Sequence, residues 1–163
     1  MVQTAGCPSR SQAGGEWLLF LHADTRLTPG WASCCLDHLS SHSDNAGYFR
    51  LAFDTGGVTA RMVSAWANLR SRIFGLPYGD QGLLVSCKLY HAVGGYSDIP
   101  LMEDVKMARA LRGRLRMLGA RLITSAARYE TDGWFRRGAR NLMTLLRYFL
   151  GTDPEILARN YRR

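Results

Sequence analysis

The period of hydrophobic and polar positions changes several times along the chain, and each change marks an element. Glu16 to Asp24 reads EWLLFLHAD, an apolar run that turns polar at its end. That is the pattern of a strand buried on both faces of a parallel sheet, with His22 and Asp24 at its carboxyl edge. Thr28-Pro29-Gly30 offers an N-cap with proline at the first helical position, so a helix is predicted over Trp31 to Leu39, ended by the polar run Ser40 to Asn45. Ala46 to Asp54 alternates in part and is rich in aromatic and aliphatic residues, which predicts a second strand. Gly56-Gly57 breaks it before a helix from about Val58 to Phe74.

Tyr78-Gly79-Asp80-Gln81-Gly82 is turn chemistry, Leu83 to Cys87 a short strand, and Gly94-Gly95 a second turn. Met102 to Arg114 reads as a helix with Glu103 and Asp104 in its first turn, where free N–H groups and the helix dipole favour carboxylates. Another short strand is predicted after Gly119 within Leu115 to Ala127, and a last helix over Trp134 to Leu150. The first 15 residues, MVQTAGCPSRSQAGG, lack apolar periodicity and read as a flexible end. Alternating strands and helices without repeats predict one domain over residues 1–163 built on an open α/β sheet.

Composition narrows the class. A chain of 163 residues, 47% hydrophobic and 21% charged, fills one globular core and leaves no room for two ordinary domains. Its apolar stretches fall far short of the roughly 20 residues that span a bilayer, and no charged-then-apolar leader precedes them, so a cytoplasmic protein is expected. Cys7, Cys34, Cys35 and Cys87 form no CxxC pair and are expected to be reduced, mostly buried small apolar residues. His38 and His42 have i, i+4 spacing but lack the glutamate of HExxH, so a solvated helix face is expected rather than a metal site.

The net charge of +8 is lopsided: residues 105–163 hold 13 Arg and one Lys against four acids, whereas the first 104 residues are slightly acidic. Arginine's planar fork suits phosphates, so a polyanionic ligand, nucleic acid and an anionic membrane are all compatible with the charge. No nucleic-acid module or base-stacking aromatic pattern accompanies it, and nucleic acid is not expected as a partner. On a helical wheel, Leu142, Leu145, Leu146 and Phe149 share one arc of the last helix, with Arg136, Arg140 and Arg147 opposite. Residues 134–163 are thus a basic amphipathic helical region, either a core-packing helix with a wet cationic back or a peripheral contact with an anionic inner membrane face.

In an open α/β sheet, ligands bind beyond the carboxyl ends of the strands, which is where Asp24 ends its run. There it serves either as a turn or cap residue, or as a ligand for a hard divalent cation completed by water and phosphate oxygens. Glu103 and Asp104 either favour the helix start or supply the general base that takes a proton from an attacking hydroxyl. Arg128, Arg136 and Arg137 with Trp134 could steady a diphosphate or simply form basic surface.

Four stretches in order carry a resemblance. LLFLHADTRLTPGW, PYGDQGLLV, VGGYSDIPLMEDVKMARALR and the Arg-rich segment into LLRYFLG resemble the family 2 glycosyltransferases of GT-A fold, over about residues 12–161. The resemblance is greatest to a small bacterial subgroup, the radical-SAM/selenodomain-associated or arsenosugar-biosynthesis glycosyltransferases. It implies an α/β fold whose sheet is mixed but mostly parallel with helices flanking it, and a metal-dependent, inverting transfer of sugar from a nucleotide-diphosphate donor, a UDP-sugar, to an acceptor hydroxyl, with Mg²⁺ or Mn²⁺. His22-Ala23-Asp24 occupies the place of the family's DxD motif, which assigns Asp24 to the metal and His22 to a diphosphate or sugar contact. Glu103-Asp104 matches the ED motif, with Asp104 as catalytic base. Gly79, Asp80 and Gln81 match the loop lining the donor and acceptor pocket, and Arg136 and Arg137 are assigned to donor binding. The family's base-binding strand has no counterpart before His22; Arg10 and Gln12 resemble relics of the helix preceding the metal strand. An N-terminally truncated enzyme is therefore implied, with the apolar faces of Trp17 to Leu21 and of the following helix exposed or covered by a second copy. The alternative is an inactive GT-A remnant that serves as a binding or assembly module.

Overall fold

The computed structural model describes residues 15–161, so the readings of Cys7, Arg10, Gln12 and the flexible end before Gly15 lie outside the described residues. Five strands, β1 (Trp17–Phe20), β2 (Thr25–Leu27), β3 (Ala46–Phe53), β4 (Leu83–Ser86) and β5 (Leu115–Thr124), form one sheet in the order β1-β4-β3-β5-β2. The helices are α1 (Trp31–Ser41), α2 (Val58–Phe74), α3 (Cys87–Ala92), α4 (Glu103–Ala110), α5 (Ala127–Asp132), α6 (Trp134–Phe149) and α7 (Pro154–Tyr161).

The α/β class and the mixed sheet with flanking helices are as expected, but the sheet is not mostly parallel. Only β3 and β5 pair in parallel; β1–β4, β3–β4 and β2–β5 are antiparallel. Apolar periodicity reports which faces of a strand are buried and carries no information on its direction. Even so, β1, β3 and β5 all run the same way, because β4 is antiparallel to both β1 and β3. Their carboxyl ends therefore gather on one side of the sheet.

The chain crosses from the β1 edge to the β2 edge through only four residues, Leu21 to Asp24. Five strands laid flat at about 4.8 Å spacing put their edges roughly 19 Å apart, close to the limit of a fully extended chain of this length. This connection is not extended: the Thr25 N–H donates to the His22 carbonyl in a turn, at 3.1 Å. The sheet consequently curls, and His22 and Asp24 are drawn over the strand ends.

Two apolar layers fix the sheet. On one side Leu18, Val85, Leu89, Tyr90, Met107 and Leu111 join β1 and β4 to α3 and α4. On the other, Cys35 of α1 meets Phe49, Leu84, Leu118, Ala120 and Leu122. Helix α2 is tied to β3 by Asn68, whose amide side chain accepts from the Leu51 N–H at 2.8 Å and donates to the Leu51 carbonyl at 3.0 Å. This closes both backbone groups of a residue on β3.

Several local expectations are corrected. Strand β1 is an edge strand, half-buried rather than buried on both faces, with Leu21 beyond it and Leu36 on α1 exposed. Thr28 does not cap α1: its hydroxyl donates to the Arg121 carbonyl, and the helix starts after Gly30 in the left-handed conformation. His38 is buried rather than solvated, because its ring bonds the Asn45 carbonyl at 3.0 Å and packs edge-on against Trp17. Of the described cysteines, all free, Cys35 is buried while Cys34 and Cys87 are half-buried. Helix α4 stops at Ala110 because Gly113 turns the chain at positive φ into β5, which itself begins at Leu115, before Gly119.

Candidate functional site

A cleft of about 810 Å³ opens beyond the carboxyl ends of β1 and β5. The Leu21–Asp24 crossing forms one wall and the Tyr78–Asp80 turn its floor. The first turn of α4 and the α5–α6–α7 corner complete it. His22, Asp24, Gly79, Asp80, Glu103, Asp104, Arg128 and Arg137 all line this one cleft. All four ordered stretches thus contribute to it, although His22 and Arg137 lie 115 residues apart.

Asp24 is placed by its own backbone: its carbonyl accepts from the Ser125 N–H at the end of β5, at 3.2 Å. Its Oδ1 meets His22 Nδ1 at 2.5 Å, which leaves Oδ2 open to the cleft and fixes the imidazole's orientation. A ring that holds a carboxylate in this way acts on any ion the carboxylate binds through orientation and basicity.

Asp104 is held from two sides. Its Oδ2 accepts from the Gly79 N–H at 2.8 Å and its Oδ1 from the Val105 N–H at 2.7 Å, so the turn and the helix start both aim the carboxylate. A methyl group on Gly79 would sit 3.6 Å from His22 Cδ2 and 3.7 Å from Asp104 Oδ2, which puts both side chains against the same point of the turn. Burial pushes the Asp104 carboxyl above its usual range, against the pull of those N–H donors and of Arg70. Glu103 is raised as well, first by burial and then by Asp104. The residue before the pair, Met102, is the one described non-glycine residue with positive φ, at 69°. A left-handed residue costs about 1–2 kcal/mol and is maintained here where the chain must turn the acidic pair into the cleft.

Asp80 is strongly perturbed as well. Burial, with Asp104 and Asp24 nearby, pushes it up to about 6 in spite of Arg70 and His22. Its Oδ1 has no hydrogen-bond partner, and neither do Nε and Nη2 of Arg70, whose guanidinium lies 3.4 Å over the Tyr78 ring. Because the folded state holds the Asp80 proton more tightly than the unfolded chain, stability is greatest with this carboxyl protonated and is lost as pH rises toward 6. With chelator present, wild type should lose on the order of 2 kcal/mol relative to Asp80→Asn between pH of about 4 and about 6.5. Parallel melting curves across that range would count against the buried carboxyl.

Three assigned residues do not face the cleft. Gln81 is fully buried: its Oε1 accepts from the Ser71 hydroxyl at 2.5 Å and its Nε2 donates to the Phe49 carbonyl and Asn68 Oδ1, each at 3.3 Å. It fastens the turn to α2 and β3 rather than touching a ligand, since an amide with both ends engaged by protein has little left to offer. Arg136 is exposed away from the cleft, one helical residue before Arg137, which the helical rotation turns inward. Trp134 packs edge-on against Phe53 and stacks on Tyr129.

The cationic end of the cleft contains residues the sequence reading missed. Arg137 donates to Asp132 at 2.7 Å and to the Tyr161 hydroxyl at 3.4 Å. Tyr161 donates to Asn141 at 3.0 Å, which donates to the Tyr129 hydroxyl at 3.3 Å. Helix α7 delivers Tyr161, and it carried a legible signal: Asp153 before Pro154, with Asp153 Oδ1 accepting from the Glu155 N–H at 2.7 Å.

Among the described residues no three His, Cys, Asp or Glu side chains converge as a self-sufficient metal centre. The donor set nevertheless fits a hard divalent cation, because the free oxygen of Asp24 and the unpartnered Oδ1 of Asp80 supply one or two carboxylates. Mg²⁺ or Mn²⁺ takes the remainder of its shell from water and phosphate. Fold and site together define an α/β protein with a mixed, curled sheet and a cleft that is acidic at one end and cationic at the other. Comparison of the chain with protein-family models, with curated proteins and with solved structures returns no match.

Proposed function

We propose that the protein is a glycosyltransferase of GT-A type that moves a sugar from a nucleotide diphosphate, a UDP-sugar, to an acceptor hydroxyl with inversion. The observation that carries this reading is that Asp24 and Asp104 line the same cleft, with the Gly79 turn between His22 and Asp104. Asp24, oriented by His22, would hold Mg²⁺ or Mn²⁺ together with Asp80. When bound, the cation neutralises charge on the departing diphosphate.

Asp104 takes the proton of the acceptor hydroxyl as that oxygen attacks the sugar carbon. Its burial suits this, since a base whose pKa is raised toward the working pH accepts a proton more readily. Glu103 lies beside it, its own carboxyl raised by burial and by the Asp104 charge, so that it too can hold a proton on the acceptor side. Arg128 and Arg137 face the diphosphate from the cationic end, where a planar guanidinium can meet two phosphate oxygens at once.

Calorimetry with UDP tests the reading directly. Binding should require Mn²⁺, vanish with chelator, be lost in Asp24→Asn and weaken about tenfold in His22→Ala, the usual cost of removing a group that orients a ligand. If UDP does not bind with or without Mn²⁺, the enzyme reading falls and the chain is a GT-A remnant that binds or assembles something else.

A further inference from the structure

The α2–α6 surface is apolar where a stable globular protein would be polar. On α2, Val58, Met62, Trp66, Leu69 and Ile73 recur at helical spacing on one face, and all are exposed, with Met62 60%, Trp66 54% and Ile73 62% accessible. The residues of α2 that are buried, Ala60, Ala67 and Ser71, lie on the opposite face. Helix α6 packs against α2 and repeats the pattern: of the arc read from the sequence only Leu145 is buried, while Leu142, Leu146 and Phe149 stay nearly half exposed. The core-packing reading of that arc holds at Leu145 alone, which the inward face of α6 carries together with Arg137, Asn141 and Thr144. Exposed apolar stripes on two helices that pack together mark a docking face.

Charge selects the occupant. Helices α2 and α6 carry no acid; Arg70 lies over Tyr78, Arg137 turns into the cleft and Arg136, Arg140 and Arg147 lie opposite the Leu142–Phe149 arc, which leaves Arg61 and Arg72 bordering the exposed stripe of α2. A second copy docked by the same face would bring those arginines against one another, whereas an anionic lipid surface complements them and accepts the apolar stripe. A second observation lies on the flank of α2. A small cavity of about 300 Å³ is lined by Arg50, Arg61 and Arg121 with Thr55 and Ser64, and none of the three arginines pairs with a carboxylate among the described residues. Arg50 and Arg121 are cross-strand partners on β3 and β5, a placement in which like charges repel unless an anion lies between them. Arg61 belongs to α2 itself, adjacent on the wheel to the exposed stripe. The pocket thus opens beside the apolar face at a position suited to a phosphate of a lipid headgroup.

We propose that this face docks on an anionic lipid surface, with the α2 and α6 stripes entering the interfacial layer and the Arg50–Arg61–Arg121 pocket taking a headgroup phosphate. The contact is peripheral, since no helix among the described residues is long and apolar enough to cross a membrane. It is independent of sugar transfer.

Vesicle flotation with the full chain tests it. Vesicles of phosphatidylcholine with about 30% phosphatidylglycerol should bind at least about tenfold more protein than phosphatidylcholine alone, and about 0.5 M salt should reduce the difference. Met62→Ser with Ile73→Ser should weaken binding about tenfold without moving the melting temperature, as both side chains are exposed, and Arg61→Glu should remove most of the preference for anionic vesicles. Quenching of Trp66 by brominated lipid in the wild type, compared with Trp66→Phe, reports insertion without any variant having to fold differently. Equal binding to both vesicle types, no binding, a dimer at micromolar concentration that Ile73→Ser dissolves, or nucleic acid that displaces the vesicles would each overturn the proposal.

Discussion

Asp104→Asn is expected to lower turnover by about 10²–10⁴ while leaving Mn²⁺-dependent UDP binding within about twofold of wild type. The asymmetry follows from geometry. Asp24 lies on the crossing segment and Asp104 on the first turn of α4, so the side of the cleft proposed to hold the cation is unchanged when Asp104 is neutralised. An amide has nearly the shape of the carboxylate but one acceptor oxygen, so either the Gly79 or the Val105 N–H loses its partner. A loss of about 1 kcal/mol in stability is the expected side effect. That small loss cannot explain a thousandfold fall in rate, which is why melting and turnover must be measured on the same preparation. Glu103→Gln keeps the Asp104 carboxylate and should retain most activity. Undiminished turnover in Asp104→Asn removes the proposed base, and a parallel loss of UDP binding assigns Asp104 to the donor instead.

What the sequence disclosed follows from how local each feature is. Strand β3 and helix α2 were legible to within a residue because the strand is rich in aromatic and aliphatic residues and glycines at Gly56-Gly57 and Gly75 bound the helix. Strand β2 was missed: three residues give no period, and β2 exists only because Thr25 to Leu27 find β5 across the curl. Helix α3 was hidden because Ser86 both ends β4 and caps the helix, its hydroxyl accepting from the Leu89 N–H at 3.2 Å. Strand direction and the covering of α6 were illegible for a common reason. An amphipathic wheel shows that two faces differ, and only tertiary contacts decide which one turns inward. The site fared better, since His22, Asp24, Asp80, Glu103 and Asp104 are all turn or cap residues whose backbone places them. Gln81 shows the limit of that logic. It sits in the same turn as Asp80, yet the turn's rotation sends one side chain to the cleft and the next into the core.

That rotation depends on Gly82, and Gly82→Ala should be the most damaging small substitution in the chain. Gly82 has φ of +61° and closes the turn through its N–H to the Gly79 carbonyl at 3.1 Å. A methyl group there would meet Leu122 Cδ1 at 2.8 Å, the Phe20 carbonyl oxygen at 3.1 Å and Leu21 Cδ2 at 3.2 Å. Leu122 is fully buried and the Phe20 oxygen is backbone at the end of β1, so neither neighbour can give way cheaply. Strain from the left-handed backbone adds about 1 kcal/mol and overpacking about 1–3 kcal/mol, for a total near 3 kcal/mol and a fall in melting temperature of about 10 °C. Gly79→Ala is the matched control, three residues away. Its φ is not in the left-handed region, its methyl meets nothing nearer than 3.6 Å, and its melting temperature should stay within a few degrees of wild type. Because β1 leads directly into His22 and Asp24, displacing the Phe20 end by a few tenths of an ångström also moves these two residues against Asp104. Gly82→Ala protein that remains folded should therefore bind UDP and Mn²⁺ less well, though no residue touching either has changed. A variant that melts like wild type would show that the turn is free to shift, and with it the fixed spacing between the two acids on which the proposed transfer depends.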